Sequence, residues 1–331
     1  MAWLIGIDEA GYGPNLGPLV IAATVWRVPD HRLRDDLYAL VAPAITPFVA
    51  SAARRRTVRA NAEAQGPRPV LVADSKHVYG RCGGLSELER GVLAALGACG
   101  KHPTTVEELW RAVDPSGYRQ PELFVVHQMR RIPQQAAQQE LPTLAGWLAQ
   151  CLAKCEVELC GIRARAACPS EFNRLLDQYG NKAEVLQVLF LQLVSELKEW
   201  LSDGPALVVC DRQGGRTRYA AIAQQVAEDR LVRVLFEHAS SSGYRWDGAK
   251  GPIELRFETK GERHLPVALA SMAAKYLREL AMREFNAWWL QRVPDLSPTA
   301  GYPADAGRFM RRIEPLLPAM GIERSALWRE R

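Results

Sequence analysis

The sequence predicts an α/β fold built around a mixed sheet. Apolar runs typical of buried strands alternate along the 331 residues with long stretches of helical periodicity. Residues 3–27 contain two such runs joined by a short segment rich in Gly and Pro, so we expect an antiparallel hairpin there. Strands interspersed with long helices favour an α/β domain, and the hairpin makes its sheet not purely parallel.

The other elements follow in chain order. Helical periodicity covers residues 31–41 and 85–98, and Ser86 and Glu89 have the spacing of a capping box. Residues 43–69 are predicted to form a loop, and a short helix is expected after Thr104 and Thr105, whereas residues 114–145 have only weak periodicity. Further strands are predicted at 157–166, 206–210, 231–237 and 253–259, and further helices at 182–202 and 265–290.

Composition narrows the class of protein. Hydrophobic residues make up 48% and charged residues 24%, as in soluble globular proteins. No apolar stretch reaches the roughly 18 residues that span a bilayer. An acid at position 8 argues against an export signal, and seven cysteines without a small secreted framework favour the cytoplasm. The net charge of +5 is compatible with a polyanionic partner.

Acidic side chains follow several of the predicted strands. Asp8 and Glu9 end the first run, Asp211 ends a later run, and Glu262 precedes the last long helix. Strand ends of one sheet share an edge, so these acids are able to converge there. Converged carboxylates raise one another's pKa and suit Mg²⁺ or Mn²⁺, and two such ions support phosphodiester hydrolysis. The alternative is that each acid merely ends a strand and is satisfied by backbone donors.

Other motifs suggest weaker alternatives. Gly11, Gly13 and Gly17 follow a strand as in a dinucleotide-binding loop, but adjacent acids would repel a pyrophosphate and a strand follows instead of a helix. The cysteines between 151 and 168 lack the paired spacing of a zinc site. Two basic clusters, one at 54–68 and one in the C-terminal tail, are either solvated faces or phosphate contacts.

Taken together, the motifs resemble those of the type 2 ribonuclease H family, ribonucleases HII and HIII. They occur in family order between residue 4 and about residue 310. The matching segments are Gly6-Ile7-Asp8-Glu9-Ala10-Gly11 with Gly13-Pro14 and Gly17-Pro18, Asp74-Ser75-Lys76, Asp211, Lys260-Gly261-Glu262, the helical segment 270–279 that starts Ala-Ser-Met, and Gly301-Tyr302.

The resemblance implies a ribonuclease H-like fold, with a mixed five-stranded sheet flanked by helices. It implies a metal-dependent endonuclease that hydrolyses the RNA strand of RNA–DNA hybrids, leaving 5′-phosphate and 3′-hydroxyl ends. The partner would be such a hybrid or a ribonucleotide-containing duplex, and no protein partner is inferred. Residues 1–331 would form one catalytic domain with helical or irregular insertions at about 31–69 and 100–150, and a basic tail at about 296–331.

The resemblance also assigns roles to residues. Two Mg²⁺ or Mn²⁺ ions would be held by Asp8, Glu9, Asp211 and Glu262, with Asp8 bridging both. The segment Gly11, Tyr12 and Gly13 would approach the 2′-hydroxyls in the minor groove. The other substrate contacts would be Lys76, Lys260 and Lys275 on phosphates, unless these are ordinary surface lysines, and Tyr302 on a sugar, unless it is a packed core residue.

Two substitutions depart from the family pattern. Tyr12 stands where ribonuclease HII has arginine, which leaves recognition of a single embedded ribonucleotide open. Glu262 stands where ribonuclease HII has aspartate and is closer to ribonuclease HIII. Tyr12 and the long insertions keep one alternative open, a non-catalytic nucleic-acid-binding protein on the same fold. A further alternative is another nuclease on this fold that acts on structured DNA.

Overall fold

A computed structural model of the chain describes residues 1–47, 67–114 and 130–330. The described strands are β1 (Ala2–Ala10), β2 (Leu19–Val28), β3 (Ile45–Thr46), β4 (Val70–Leu71), β5 (Glu158–Ala167), β6 (Ala206–Asp211), β7 (Arg233–Glu237), β8 (Ser241–Asp247) and β9 (Pro252–Glu258). They form one seven-stranded sheet in the order β5-β2-β1-β6-β9-β8-β7 and a two-stranded sheet of β3 and β4.

Helices cover both faces of the large sheet. The α-helices are α1 (Leu37–Leu40), α2 (Ser75–His77), α3 (Leu85–Ala98), α4 (Val106–Val113), α5 (Leu141–Lys154), α6 (Pro169–Tyr179), α7 (Lys182–Glu196), α8 (Lys198–Leu201), α9 (Ala220–Ala227), α10 (Leu265–Leu290) and α11 (Pro303–Ile313). A π-helical turn covers Val78–Cys82, and short 3₁₀ turns cover Asp30–Arg32, Gln138–Glu140, Gly261–Arg263, Glu314–Leu316, Pro318–Met320 and Arg324–Ala326. No helix in the described ranges is both long and apolar enough to cross a membrane.

The sheet is mixed, as the sequence predicts. Strand β1 pairs antiparallel with β2 and parallel with β6, and β6 pairs parallel with β9. Alternate side chains of β1 enter two separate cores, because successive residues of a strand point to opposite faces. Leu4 packs with α3, α5 and α10 on one face, and Ile5 packs with α6, α7 and α9 on the other. The mixed α/β fold with a large sheet flanked by helices is therefore confirmed.

The number of strands differs from the expected five. In the described residues the sheet continues past β9 through β8 and β7, each antiparallel to its neighbour. Strand β8 was not predicted, because its sequence mixes small, aromatic and charged residues and has no plain apolar run. Strand β7 lies at the edge of the sheet, where Val234 and Leu235 remain exposed.

Several helix predictions need correction. Residues 31–41 contain only the end of a 3₁₀ turn and the four residues of α1. The predicted helix at 182–202 is divided into α7 and α8 at Leu197. Helix α3 has the predicted bounds, but its N-cap is Gly84 and no side chain caps it. Glu89 is instead fully buried and accepts hydrogen bonds from the backbone N–H groups of residues 134–136.

Helix α10 rests directly on β1 at Gly6. A Cβ built there would lie 2.1 Å from the carbonyl carbon of Pro266, at the start of α10. The neighbouring strand is also joined to this point, because Thr24 Oγ1 donates a hydrogen bond to the Pro266 carbonyl at 2.7 Å. The side chains at the carboxyl end of β1 and those on α10 are therefore held at a close, defined distance.

We expect Gly6→Ala to lower the free energy of unfolding by about 3 kcal/mol or more, because backbone atoms of α10 would have to move. Gly146→Ala is the matched control. Gly146 is an exposed helical glycine of α5 with open space around its Cα, so alanine should stabilise the protein by about 0.5–1 kcal/mol. Denaturant unfolding of both variants checks the prediction, and equal midpoints would contradict it.

Candidate active site

Two of the predicted acids lie side by side at one edge of the sheet. The parallel ladder between β1 and β6 pairs Ile7 with Cys210, so the next residues of the two strands are Asp8 and Asp211. Both side chains lie on the face that α10 covers, because they alternate with residues of the opposite core. Asp8 is only 5% exposed, whereas Asp211 is half-buried. Sheet register thus brings together two carboxylates that are about 200 residues apart.

Glu262 reaches the same edge through a tight turn after β9. Lys260 has left-handed backbone angles, with φ of 59°, and reverses the chain towards β6. The N–H of Gly261 then donates to Oδ1 of Asp211 at 2.8 Å. A Cβ at position 261 would lie 3.0 Å from the Asp211 Cα, so glycine is what permits this approach. The turn therefore places Glu262 next to Asp211.

The pKa values show that these acids share one electrostatic environment. Burial raises the pKa of Asp8 well above its ordinary value, and the charges of Glu9, Asp211 and Glu262 raise it further. Burial and then Asp211 raise the pKa of Glu9 to about 8. Asp8 Oδ1 also accepts a hydrogen bond from the Glu9 N–H at 2.8 Å. Four like charges held this close favour a cation among them.

Asp74 is a fifth acid at this site. Burial is the main cause of the raised pKa values of Asp211 and Glu262, and the charge of Asp74 raises both further. Oδ1 of Asp74 caps α2 by accepting the N–H of Lys76 at 2.7 Å. Asp74 follows the apolar segment 70–73, but it was predicted only as part of a motif and not as one of the clustered acids.

Lys76 supplies positive charge to the cluster. The Lys76 ammonium lowers the pKa of Glu9, Asp211 and Glu262, against the larger effect of burial. Its side chain is exposed, at the end of the Asp74-Ser75-Lys76 motif. The structure therefore places Lys76 beside the acids, where it is able to meet an anionic ligand.

Two buried serines, Ser271 and Ser75, form a hydrogen-bonded chain next to Asp8. Ser271 of α10 hydrogen-bonds Asp8 and thereby lowers its pKa, which opposes part of the effect of burial. The Ser271 and Ser75 hydroxyls are also hydrogen-bonded, with 3.0 Å between their oxygens. The Asp74-Ser75-Lys76 motif and the helical segment 270–279 thus meet at the carboxylate of Asp8. The sequence pointed to both serines only as members of motifs and not as site residues, because nothing in their spacing indicates contact.

The glycine-rich segment after β1 forms a compact loop beside the acids. Gly11 has a φ of +90°, and a Cβ there would lie 2.6 Å from Nε of Arg278. The N–H groups of Asn15 and Leu16 donate to the Gly301 carbonyl at 2.8 and 3.2 Å. Gly13 is exposed, so its backbone is accessible to a ligand.

Two tyrosines flank this loop. Tyr12 is half-buried, and its pKa is raised by burial and then by Glu9, while Arg216 lowers it. Tyr302 is 48% exposed, so it is not a packed core residue, and a Cβ on Gly13 would lie 3.9 Å from its ring. Gly13 and Tyr302 therefore share one accessible surface.

The other two predicted lysines lie in different environments. Nζ of Lys275 is 2.5 Å from Oε1 of Glu279 on the same helix and lies over the Tyr79 ring, 4.7 Å from its centre. Lys260 is exposed in the turn before Glu262. Lys260 is thus available to a phosphate, whereas Lys275 already has a carboxylate partner.

The weaker motifs have structural explanations. Cys151 and Cys155 are half-buried and pack against the core under α10. Arg68 forms an ion pair with Glu87, and the remaining arginines of the 54–68 cluster fall outside the described residues.

The donor set fits a hard divalent cation in its chemistry. Asp8, Glu9, Asp211 and Glu262 are carboxylates, the ligands that Mg²⁺ and Mn²⁺ prefer, and burial together with neighbouring carboxylates raises their pKa values. Within residues 1–47, 67–114 and 130–330, however, no three His, Cys, Asp or Glu side chains already stand at ligating positions. The acids are thus close to one another, but in this structure their carboxylates are not arranged around one common metal position.

Comparisons with known proteins give a distant likeness. No family model and no curated protein matches the chain. An RNase HII from Archaeoglobus fulgidus, solved in complex with PCNA, is 16% identical with a TM-score of 0.39, over 99% of this chain and 94% of that one. A ribonuclease H2 from Pyrococcus horikoshii is 14% identical with a TM-score of 0.40, over 98% and 92% of the two chains.

A Bst-RNase HIII in complex with Mn²⁺ is similar at the same level. It is 13% identical with a TM-score of 0.40, over 99% of this chain and 66% of that one. Likeness this low says nothing about chemistry. The function of this chain has to be inferred from its own side chains.

Proposed function

We propose that the chain is a divalent-metal-dependent endonuclease that hydrolyses the RNA strand of RNA–DNA hybrids. The observation that supports this proposal best is the group of four acids from three separate chain segments at one sheet edge. Burial raises the pKa of each of the four, and the charges of neighbouring carboxylates raise it further. Such an arrangement is costly for folding, so a role that requires concentrated negative charge accounts for it better than strand termination does.

Asp8, Glu9, Asp211 and Glu262 would hold the cations. Divalent ions bound there stabilise negative charge on a phosphodiester and make water a better nucleophile. Asp8 is the most buried of the four and is oriented by Ser271 and by the Glu9 N–H. It is therefore the best candidate for the shared ligand between two ions.

The neighbouring surface would select the substrate. Tyr12 lies near Glu9, and the ring of Tyr302 lies beside the exposed backbone of Gly13 in the loop that follows the first two acids. Backbone groups that approach the minor groove closely are able to contact 2′-hydroxyls, which distinguish RNA from DNA. Lys76 and Lys260 would hold phosphates on either side of the cleavage point, while Lys275 would have to leave Glu279 to do so.

A substrate panel tests this function. The purified chain is incubated with a long RNA–DNA hybrid, duplex DNA with one ribonucleotide, duplex DNA, branched DNA and single-stranded RNA. Each is tested with Mg²⁺, with Mn²⁺ and with chelator. We expect metal-dependent cleavage of the hybrid that leaves 5′-phosphate and 3′-hydroxyl ends.

The same panel separates the alternatives. Cleavage of branched DNA alone would favour a nuclease for structured DNA. Retarded migration of the hybrid without cleavage under any metal condition would favour a non-catalytic binding protein. The duplex with one ribonucleotide shows separately whether Tyr12, in place of an arginine, still permits recognition of a single 2′-hydroxyl.

A further inference from the structure

The last residues of the chain run along the loop that follows β1. The N–H of Arg329 donates to the Asn15 carbonyl at 2.7 Å, and Asn15 Nδ2 donates to the Arg329 carbonyl at 3.0 Å. Leu16 and Trp328 form an antiparallel bridge. We call residues 328–330 the C-terminal strap. The strap pairs with the loop as a short strand would, although more than 300 residues separate the two.

The Arg329 side chain holds the loop from within. It is only 1% exposed, and its Nη2 donates to the Gly11 carbonyl at 2.6 Å and also to the Pro14 carbonyl. Burial, with Arg278 nearby, lowers the pKa of Arg329 to about 9, so the guanidinium is still protonated at neutral pH. One cation therefore joins the carbonyls on both sides of Tyr12 and Gly13, and the shape of the turn depends on it.

The strap is itself anchored to α6. Asn173 Nδ2 donates to the carbonyls of Ser325 at 3.1 Å and Trp328 at 2.8 Å, and its Oδ1 accepts the N–H of Glu330 at 2.8 Å. The Arg329 guanidinium lies over the Phe172 ring, 4.9 Å from its centre. These contacts fix the strap without touching the acids, so it is possible to loosen the loop while leaving the acids unchanged.

We propose that Arg329 is a positioning residue that holds the Gly11–Tyr12–Gly13 segment in the conformation that contacts the RNA strand. The basic C-terminal tail was predicted to be either a solvated face or a phosphate contact. At Arg329 it instead affects the substrate indirectly, by holding the loop, and does not contact the substrate itself. The effect on substrate rests on the proposed function, whereas the effect on the loop does not.

Hydrogen exchange of the full chain tests the effect on the loop. In Arg329→Gln, we expect the amides of residues 11–13 and 15–17 to exchange about tenfold faster or more, because the charged donor to two carbonyls is lost. Asn173→Ala should act in the same direction by releasing the strap from α6. Arg312→Gln, which removes the same charge from an exposed position on α11, should leave this exchange unchanged. Unaltered loop exchange in both Arg329→Gln and Asn173→Ala would overturn the proposal, whether or not the chain is active.

Hybrid binding and cleavage test the effect on substrate. Arg329→Gln should raise KM for the hybrid about tenfold with little change in kcat, because the acids stay in place. Arg329→Lys, which keeps the charge and one donor direction, should restore part of the loss. Faster loop exchange without any change in KM would overturn the positioning role. If the unaltered chain cleaves no hybrid, the proposed function fails, and the exchange experiment alone decides whether the strap holds the loop.

Discussion

Asp8→Asn is expected to abolish hybrid cleavage while leaving the fold intact. The amide keeps an oxygen that accepts the Glu9 N–H, and it removes a buried charge that Glu9, Asp211 and Glu262 repel. Without metal, the variant should unfold at the same temperature as the unaltered protein or at a higher one. Cleavage should fall by about a thousandfold or more, because the central ligand carboxylate is lost. Initial rates in Mg²⁺ and in Mn²⁺, with melting curves of both proteins, check this.

Asp177→Asn is the matched control. Asp177 is an exposed aspartate of α6, so the same chemical change there should affect neither cleavage nor melting. If Asp8→Asn cleaves the hybrid as fast as the unaltered protein, the mechanism is wrong. If both variants lose activity equally, the loss has a cause other than the acid cluster.

Stability without divalent metal is expected to fall as pH rises from about 5 to about 8. The pKa of Glu9 is raised from 4.5 to about 8 in the folded protein, mainly by burial and then by Asp211. Between these two pKa values the folded chain holds a proton that the unfolded chain has lost. Each unit by which the pH rises in this range therefore favours unfolding. The slope for one proton is at most about 1.4 kcal/mol per pH unit. Above about pH 8 both the folded and the unfolded chain have lost this proton, so Glu9 no longer makes the stability depend on pH.

Divalent cations should remove most of this pH dependence, because they favour the ionised carboxylates in the folded state. Denaturant unfolding between pH 5 and 9, with Mg²⁺ and with chelator, measures both effects. Glu9→Gln should reduce the slope in chelator, since it removes the titrating group. A stability in chelator that is level or rises over this range, in both proteins, would contradict the prediction.

Much of the fold was predictable because its strongest elements have simple periodicity. Helix α10 has the predicted bounds, since its apolar residues repeat regularly over all 26 positions. The β1–β2 hairpin was predictable because two apolar runs are separated by one short turn. Strands β7 and β8 form a second hairpin, and of these two only β7 was expected, because β8 has no plain apolar run.

The helix start at Ser86 shows why local motifs mislead. Ser86 and Glu89 have the spacing of a capping box, but Glu89 is buried and binds the backbone of residues 134–136. A carboxylate that receives three N–H donors in the core is more stable there than at an exposed helix end. Tertiary contact therefore outweighed the local preference.

The sequence alone determined which residue types end the central strands, and hence which acids were able to converge at one sheet edge. Only the tertiary structure decided that Asp74, Lys76 and Ser271 join them and that Arg329 is buried beneath the glycine loop. The physical reason is the separation along the chain over which each kind of interaction acts. Strand and helix periodicity act between near neighbours in the chain, whereas the partners of a buried charge are chosen by packing between segments hundreds of residues apart.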